Sequence, residues 1–175
     1  MQLPRFLVSA AACALLAACG MPMIEPAAHS ASAPSARVTT AYRGTEARIF
    51  DLINAERSHE GLRPLVFNER LDRMAKIQAD NMARFQKMAH TLPDASLPTL
   101  NDRVHYVGYP YGRIAENVAL GYPNAETVVE GWMNSSGHRR NILDRDVVET
   151  GIAIARSSAG GLYYCQVFGR QLTSF

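Results

Sequence analysis

The chain has 175 residues, with 18 Lys+Arg against 16 Asp+Glu and a formal charge of +2. Hydrophobic residues at 47% and charged residues at 19% describe a soluble domain rather than a disordered chain. The near-neutral balance argues against a dedicated nucleic-acid binder, which concentrates Lys/Arg on one face, and no apolar run suits a multi-span membrane protein.

Arg5 precedes an Ala/Leu-rich apolar stretch from Phe6 to Ala18, shorter than the ~20 residues of a spanning helix. A positive end, a short apolar core and small residues at its exit predict a secretory signal over residues 1–18. Leu16-Ala17-Ala18-Cys19 resembles the bacterial lipobox. The resemblance implies cleavage before Cys19 and acylation of its sulfur, and therefore a membrane partner through an N-terminal lipid anchor. Gly20 stands where an Asp would favour inner-membrane retention, so outer-membrane delivery is expected in a Gram-negative host. Several acyl chains at ~0.8 kcal/mol per buried CH₂ make such an anchor stable. Residues 19–41 combine the lipidated Cys with an Ala/Ser/Pro tether that cannot bury a core, spanning roughly 25 Å as a flexible coil. Cys13 leaves with the signal and Cys19 is lipidated, so Cys165 alone remains and no intrachain disulfide is expected. Its strand-like surroundings mark Cys165 as a small buried hydrophobe.

Residues 42–175 form the folded part. Helical period over 43–60 places Ala47, Phe50 and Ile53-Ala55 inward and Arg48, Asp51, Arg57 and Glu60 elsewhere. Gly61 stops this helix. Asn68 caps a second helix to about Lys87 or Met88, with Leu71, Met74-Ala75, Gln78, Met82 and Phe85 inward and His90 just past its end. Thr99 caps a short third helix, Leu100–Tyr106, and Ile114–Leu120 is extended. Asn124 opens a fourth helix through Trp132 and Met133, and Ser135 caps a further turn, Gly137–Leu143. Val147–Ala155 and Gly161–Arg170 alternate as strands joined by the Ser157–Gly161 turn. Helices followed by a terminal hairpin and one more strand predict an α+β layered domain.

Chemistry can sit at His90, Glu116 and His138. Glu116-Asn117-Val118-Ala119 and Trp132-Met133-Asn134-Ser135-Ser136-Gly137-His138-Arg139-Arg140-Asn141-Ile142-Leu143 resemble the signature of bacterial CAP/SCP domains. These belong to the superfamily of cysteine-rich secretory proteins, antigen 5 and pathogenesis-related 1 proteins. Asn54-Ala55-Glu56-Arg57 and Leu62-Arg63-Pro64-Leu65 add to the likeness, which spans roughly residues 43–170. It implies a three-layer α-β-α sandwich with an antiparallel sheet. It also implies a cleft where His90, Glu116 and His138 meet, in some members around a divalent metal such as zinc. Ser135 stands where many eukaryotic members carry a second Glu, so at most three side chains are left to hold a metal.

Each residue also has a structural reading. His90 suits a helix C-terminus through the macrodipole. Glu116 can be satisfied by a neighbouring amide or His, and His138 can be a first-turn helix residue behind the Ser135 cap. Asn141 reads as a backbone partner in the turn after its helix, and Arg139-Arg140 as solvated charges. Tyr106, Tyr109, Tyr111 and Tyr122 either rim a cleft or cover the sheet edge.

Two functions follow. One is a lipid-anchored module of the bacterial cell envelope whose cleft binds a small ligand, lipid, cell-wall fragment or partner protein. The other is a metal-assisted or His/Glu-dependent hydrolase, peptidase or esterase in type. Binding is the preferred reading, because no Gly-x-Ser-x-Gly elbow supplies a nucleophile.

Overall fold

A computed structural model of the chain describes residues 44–172. The expected signal peptide (1–18), the lipidated Cys19 and the tether (19–41) lie outside the described residues. Among the described residues no helix is long and apolar enough to cross a membrane.

Helix α1 (Thr45–His59) leads through strand β1 (Val66–Phe67) to α2 (Glu69–Phe85) and α3 (Leu100–Val107). Strand β2 (Tyr111–Leu120), α4 (Ala125–Asn134), α5 (Ser136–Ile142), β3 (Glu149–Arg156) and β4 (Leu162–Gln171) follow. The helix starts follow local capping chemistry. The Asn68 side chain accepts from the amides of Arg70 and Leu71. Thr99 and Asp102 close a reciprocal capping box, and Asn124 accepts from Thr127 N. Ser135 occupies the expected cap position, but its side chain makes no capping bond.

The four strands lie in the order β1-β3-β4-β2. β4 pairs antiparallel with both β3 and β2, placing Glu116 opposite Val167 and Asn117 opposite Gln166. The sheet is mixed rather than antiparallel, because β1 adds a two-residue parallel pairing along β3, Val66 to Glu149 and Phe67 to Thr150. A pairing this short leaves no alternation to read.

Side-chain alternation sends one set of strand residues to each face, and each face has its own core. Ala119, Ile152, Tyr164 and Phe168 pack with Ile49, Phe50 and Ile53 of α1, Val128, Val129 and Trp132 of α4, and Ile142 of α5. Val118, Ala153, Cys165 and Val167 pack with Leu71, Met74, Ala75, Ala79 and Met82 of α2 and Val104 and Val107 of α3. The result is the expected α-β-α sandwich. Each fully enclosed large apolar side chain contributes roughly 1.5–3 kcal/mol. Gly151, Ala153 and Ala155 form the small-residue track on which α2 lies; a Cβ at Gly151 would collide with the backbone of Leu71 and Asp72.

The first helix departs from its expected faces. Ala55 is exposed, whereas Arg57 is buried beside Ile49, Phe50 and Ile53. The four tyrosines do not form a rim. Tyr106 is exposed, Tyr109 is buried and donates to Glu149 Oε2 (2.6 Å), Tyr111 donates to Asn101, and Tyr122 packs against the other core.

A candidate His-Glu-Arg site at the edge strand

β2 is an edge strand, and Glu116 and Asn117 leave it on opposite faces. Glu116 turns toward α3. Its side chain is 2% exposed, and Oε2 accepts from Arg103 Nη2 at 2.7 Å. Its other oxygen, Oε1, is 3.0 Å from His90 Nδ1. Cys165, fully buried on neighbouring β4, directs its thiol at Oε2 from 3.5 Å.

Arg103 holds this side together. It is fully buried, and besides Glu116 it donates to the carbonyls of His90, Leu97 and Pro98 at 3.4–3.5 Å. The loop carrying His90 is further fixed where the Gln78 amide donates to Ala89 O. α2 ends at Phe85 with Gln86 in a left-handed cap, so His90 lies beyond the helix terminus. Its partner is Glu116 rather than the helix dipole.

On the other face, Asn117 organises α5. It donates to His138 O (3.2 Å) and accepts from Asn141 Nδ2 (2.9 Å), which also donates to Glu116 O at 3.3 Å. Asn141 therefore pins α5 to the edge strand instead of closing a turn. Arg139 pairs with Glu60 at 3.0 Å. The His138 ring has no hydrogen-bond partner among the described residues, yet it senses the charge of His90. His90 comes from the loop between α2 and α3, and His138 from α5. Only His90 touches Glu116.

The electrostatics of the two rings diverge. The hydrogen bond that His90 makes to the Glu116 carboxylate raises the His90 pKa, against opposition from burial and Arg103. Burial, reinforced by the charge of His90, lowers that of His138. Burial also pushes the Cys165 thiol well above its ordinary value, with the Glu116 carboxylate adding to the effect. Cys165 is therefore an inert core thiol, as expected.

The donor set does not fit the expected metal. Both Glu116 oxygens are engaged, and a fully buried guanidinium stands 2.7 Å from one of them. Withdrawing Glu116 leaves two imidazoles, fewer than the three protein ligands of a catalytic zinc site. Among the described residues no group of three or more His, Cys, Asp or Glu is placed to hold a metal ion. With both Glu116 oxygens taken, one of them by Arg103, a residue absent from the sequence-based candidates, only His90 and His138 remain of the three expected ligands. A signal for Arg103 existed. Leu100, Arg103, Val104 and Val107 share one stripe of α3, and an arginine on an apolar stripe needs a buried acceptor.

Residues 50–168 match the family model of CAP, the cysteine-rich secretory protein family. The chain belongs to the CAP family. Among its relatives, the uncharacterised protein YkwD of Bacillus subtilis is 34% identical over 139 residues, covering 79% of this chain and 51% of that protein. The chain thus spans about half the length of this relative. A solved extracellular protein containing an SCP domain, from Bacillus anthracis, superposes with a TM-score of 0.67 at 28% identity, over 73% of this chain and 41% of that one. An outer surface protein from Borrelia burgdorferi gives a TM-score of 0.66 at 21% identity, over 74% of this chain and 97% of that one, and shares the fold.

Proposed function

We propose that this CAP domain is exported and held at the bacterial envelope by an acylated Cys19. Its His90/Glu116/His138 cleft binds a ligand (a lipid, a cell-wall fragment or a partner protein) without turning it over. The observation that carries the binding reading is the state of Glu116. With Arg103 on one oxygen and His90 on the other, it is a fixed counter-charge with no oxygen free to act as a base. Nor is a nucleophile at hand. Cys165 is buried with a raised pKa, and among the described residues neither Ser135 nor Ser136 bonds an imidazole. The envelope location is supported by the export and lipobox pattern and by relatives that include an extracellular and an outer surface protein. Gly20 after the Cys favours the outer membrane.

The test has two arms. Full-length protein should fractionate with membranes through high-salt and carbonate washing, and Cys19→Ala should release it; retention of the variant overturns the anchor. Purified protein should hydrolyse none of a panel of peptide, ester and peptidoglycan substrates. Hydrolysis lost in both His138→Ala and Glu116→Ala, with the fold intact, overturns the binding reading.

One observation favours the second reading, a His-dependent hydrolase. The imidazole pKa values are pushed in opposite directions, which is how an acid and a base are separated at one pH. The same hydrolysis panel decides between them.

A further inference from the structure

We propose that a hollow between the second half of α2 and the β3–β4 turn binds a phosphate monoester, held by Arg84 and Arg156. The site goes beyond the cleft: it adjoins β3, which β4 separates from β2.

The hollow has a volume of about 490 Å³, within the range of ligand pockets. Ala83 of α2 and Ala155 of β3 line it and are too small to fill it. Arg84 follows Ala83 on the helix, and Arg156, Ser157 and Ser158 follow Ala155 into the turn, so both arginines line the same space. The Arg84 guanidinium stands 5.4 Å from the centre of the Phe85 ring. Arg156 Nη1 donates to Gly160 O at 3.0 Å. Gln86 Nε2 joins the end of α2 to the turn by donating to Ser158 Oγ at 3.3 Å.

Charge identifies the occupant. Among the described residues neither Arg84 nor Arg156 pairs with a carboxylate. Asp80 also lines the hollow, one helical turn before Arg84, but it bonds Lys76 Nζ at 2.8 Å. The two guanidiniums therefore remain as uncompensated positive charge around one space, and they repel until an anion joins them. The serines add donors. Ser157 Oγ accepts from Gly161 N (3.1 Å) and Ser158 Oγ accepts from Gln86, so each hydroxyl keeps its hydrogen to give. A phosphate monoester supplies about −1.5 to −2 charges at neutral pH and three strong acceptor oxygens, and guanidinium forks suit phosphate. The volume exceeds that of a bare phosphate ion and leaves room for the alcohol portion of an ester.

The probes are inorganic phosphate, glycerol phosphate and sodium acetate, titrated into the full-length Cys19→Ala protein, which keeps acylation out of every arm. NMR follows the Nε–H signals of Arg84 and Arg156 and the amides of the turn. Arg48 and Arg113, paired with Glu126 and Asp144, serve as controls. Glycerol phosphate should bind saturably and more tightly than phosphate, acetate should bind more weakly than either, and the controls should stay still. Arg84→Gln and Arg156→Gln should each weaken the ester about tenfold, and Asp80→Asn should tighten it. Both arginines are exposed, and Arg84 makes no hydrogen bond among the described residues, so Arg84→Gln decides the matter if Arg156→Gln loosens the turn. Phosphatidylcholine vesicles with and without phosphatidic acid, a lipid phosphate monoester, tell a headgroup from a soluble ester. Capture by the phosphatidic acid vesicles alone, lost in Arg84→Gln, traces the phosphate to a lipid; any other vesicle result traces it to a soluble ester. Arginine signals that respond to neither phosphate nor its ester, acetate that binds as tightly as the ester, or ester binding that survives both arginine substitutions overturns the proposal. Each of these leaves the cleft reading standing, since no cleft residue lines the hollow.

Discussion

Among the described residues two arginines are wholly enclosed, and they are held in different ways. Arg57 sits in a cage of carbonyls, those of Arg63 (3.0 Å), Ile142 (2.6 Å), Asp144 (2.8 Å) and Val147 (3.2 Å). The Asp144 carboxylate lies close enough to be felt but is bonded to Arg113. Arg103 has carbonyls too, but its shortest bond, 2.7 Å, goes to a carboxylate. Arg57 is therefore a fastener that ties α1 to the end of α5 and the loop entering β3. Arg103 holds the Glu116 carboxylate in place, and Glu116 in turn bonds a half-exposed imidazole. The first supports the fold, whereas the second carries the fold's electrostatics to the cleft.

The comparison is most easily broken at Arg103. Arg103→Met strands a buried carboxylate and should cost about 3–5 kcal/mol. The double variant Arg103→Met/Glu116→Leu should recover more than half of that, because both charges leave together. Denaturant unfolding of the four-membered cycle measures it, and additive losses would contradict an ion pair.

Arg57→Met should cost about 3 kcal/mol, since several carbonyls lose a charged donor at once. No carboxylate neutralisation should rescue it. Asp144→Asn in that background should restore nothing, and a recovery would show that Arg57 is an ion-pair residue after all.

The difference between these arginines also shows what could be read from the chain. Helices starting at Asn68, Thr99 and Asn124 were legible because capping is local chemistry. The β3 pattern Gly-Ile-Ala-Ile-Ala encoded both faces of the sheet, with its small residues toward α2. β1 was illegible, because two residues carry no period. Arg57 was misplaced because periodicity sends charges outward, and the carbonyls that enclose it come in part from 85–90 residues further along the chain. At the site, His90 Nδ1 lies 3.0 Å from Glu116 Oε1. That Asn117 rather than Glu116 holds α5 depended on strand parity relative to helices that no local motif locates.

A smaller effect is expected at Cys165. Cys165→Ala should cost about 1 kcal/mol, in line with the loss of a small buried group. In the native protein the thiol should resist alkylation until the domain unfolds; fast alkylation at neutral pH would contradict its burial.

Smallest of all is the response of global stability to pH near neutrality. His90, with its pKa raised, contributes stability that is full below ~6.5 and is lost as pH rises through its folded value. His138, with its pKa lowered, contributes stability present above ~6.5 and lost as pH falls through its folded value. The His90 contribution therefore declines on the alkaline side of that point and the His138 contribution on the acid side. Stability should fall gently on both sides of a shallow maximum, readable as Tm against pH. A monotonic rise or fall would show that one shift is absent.

Ring-resolved NMR titration of His90 and His138, in the wild type and in Glu116→Gln, tests the central claim most directly. The account predicts His90 titrating above and His138 below the ordinary imidazole value, with Glu116→Gln bringing His90 down and relieving His138. Two rings that titrate at the ordinary value and ignore that substitution would contradict it.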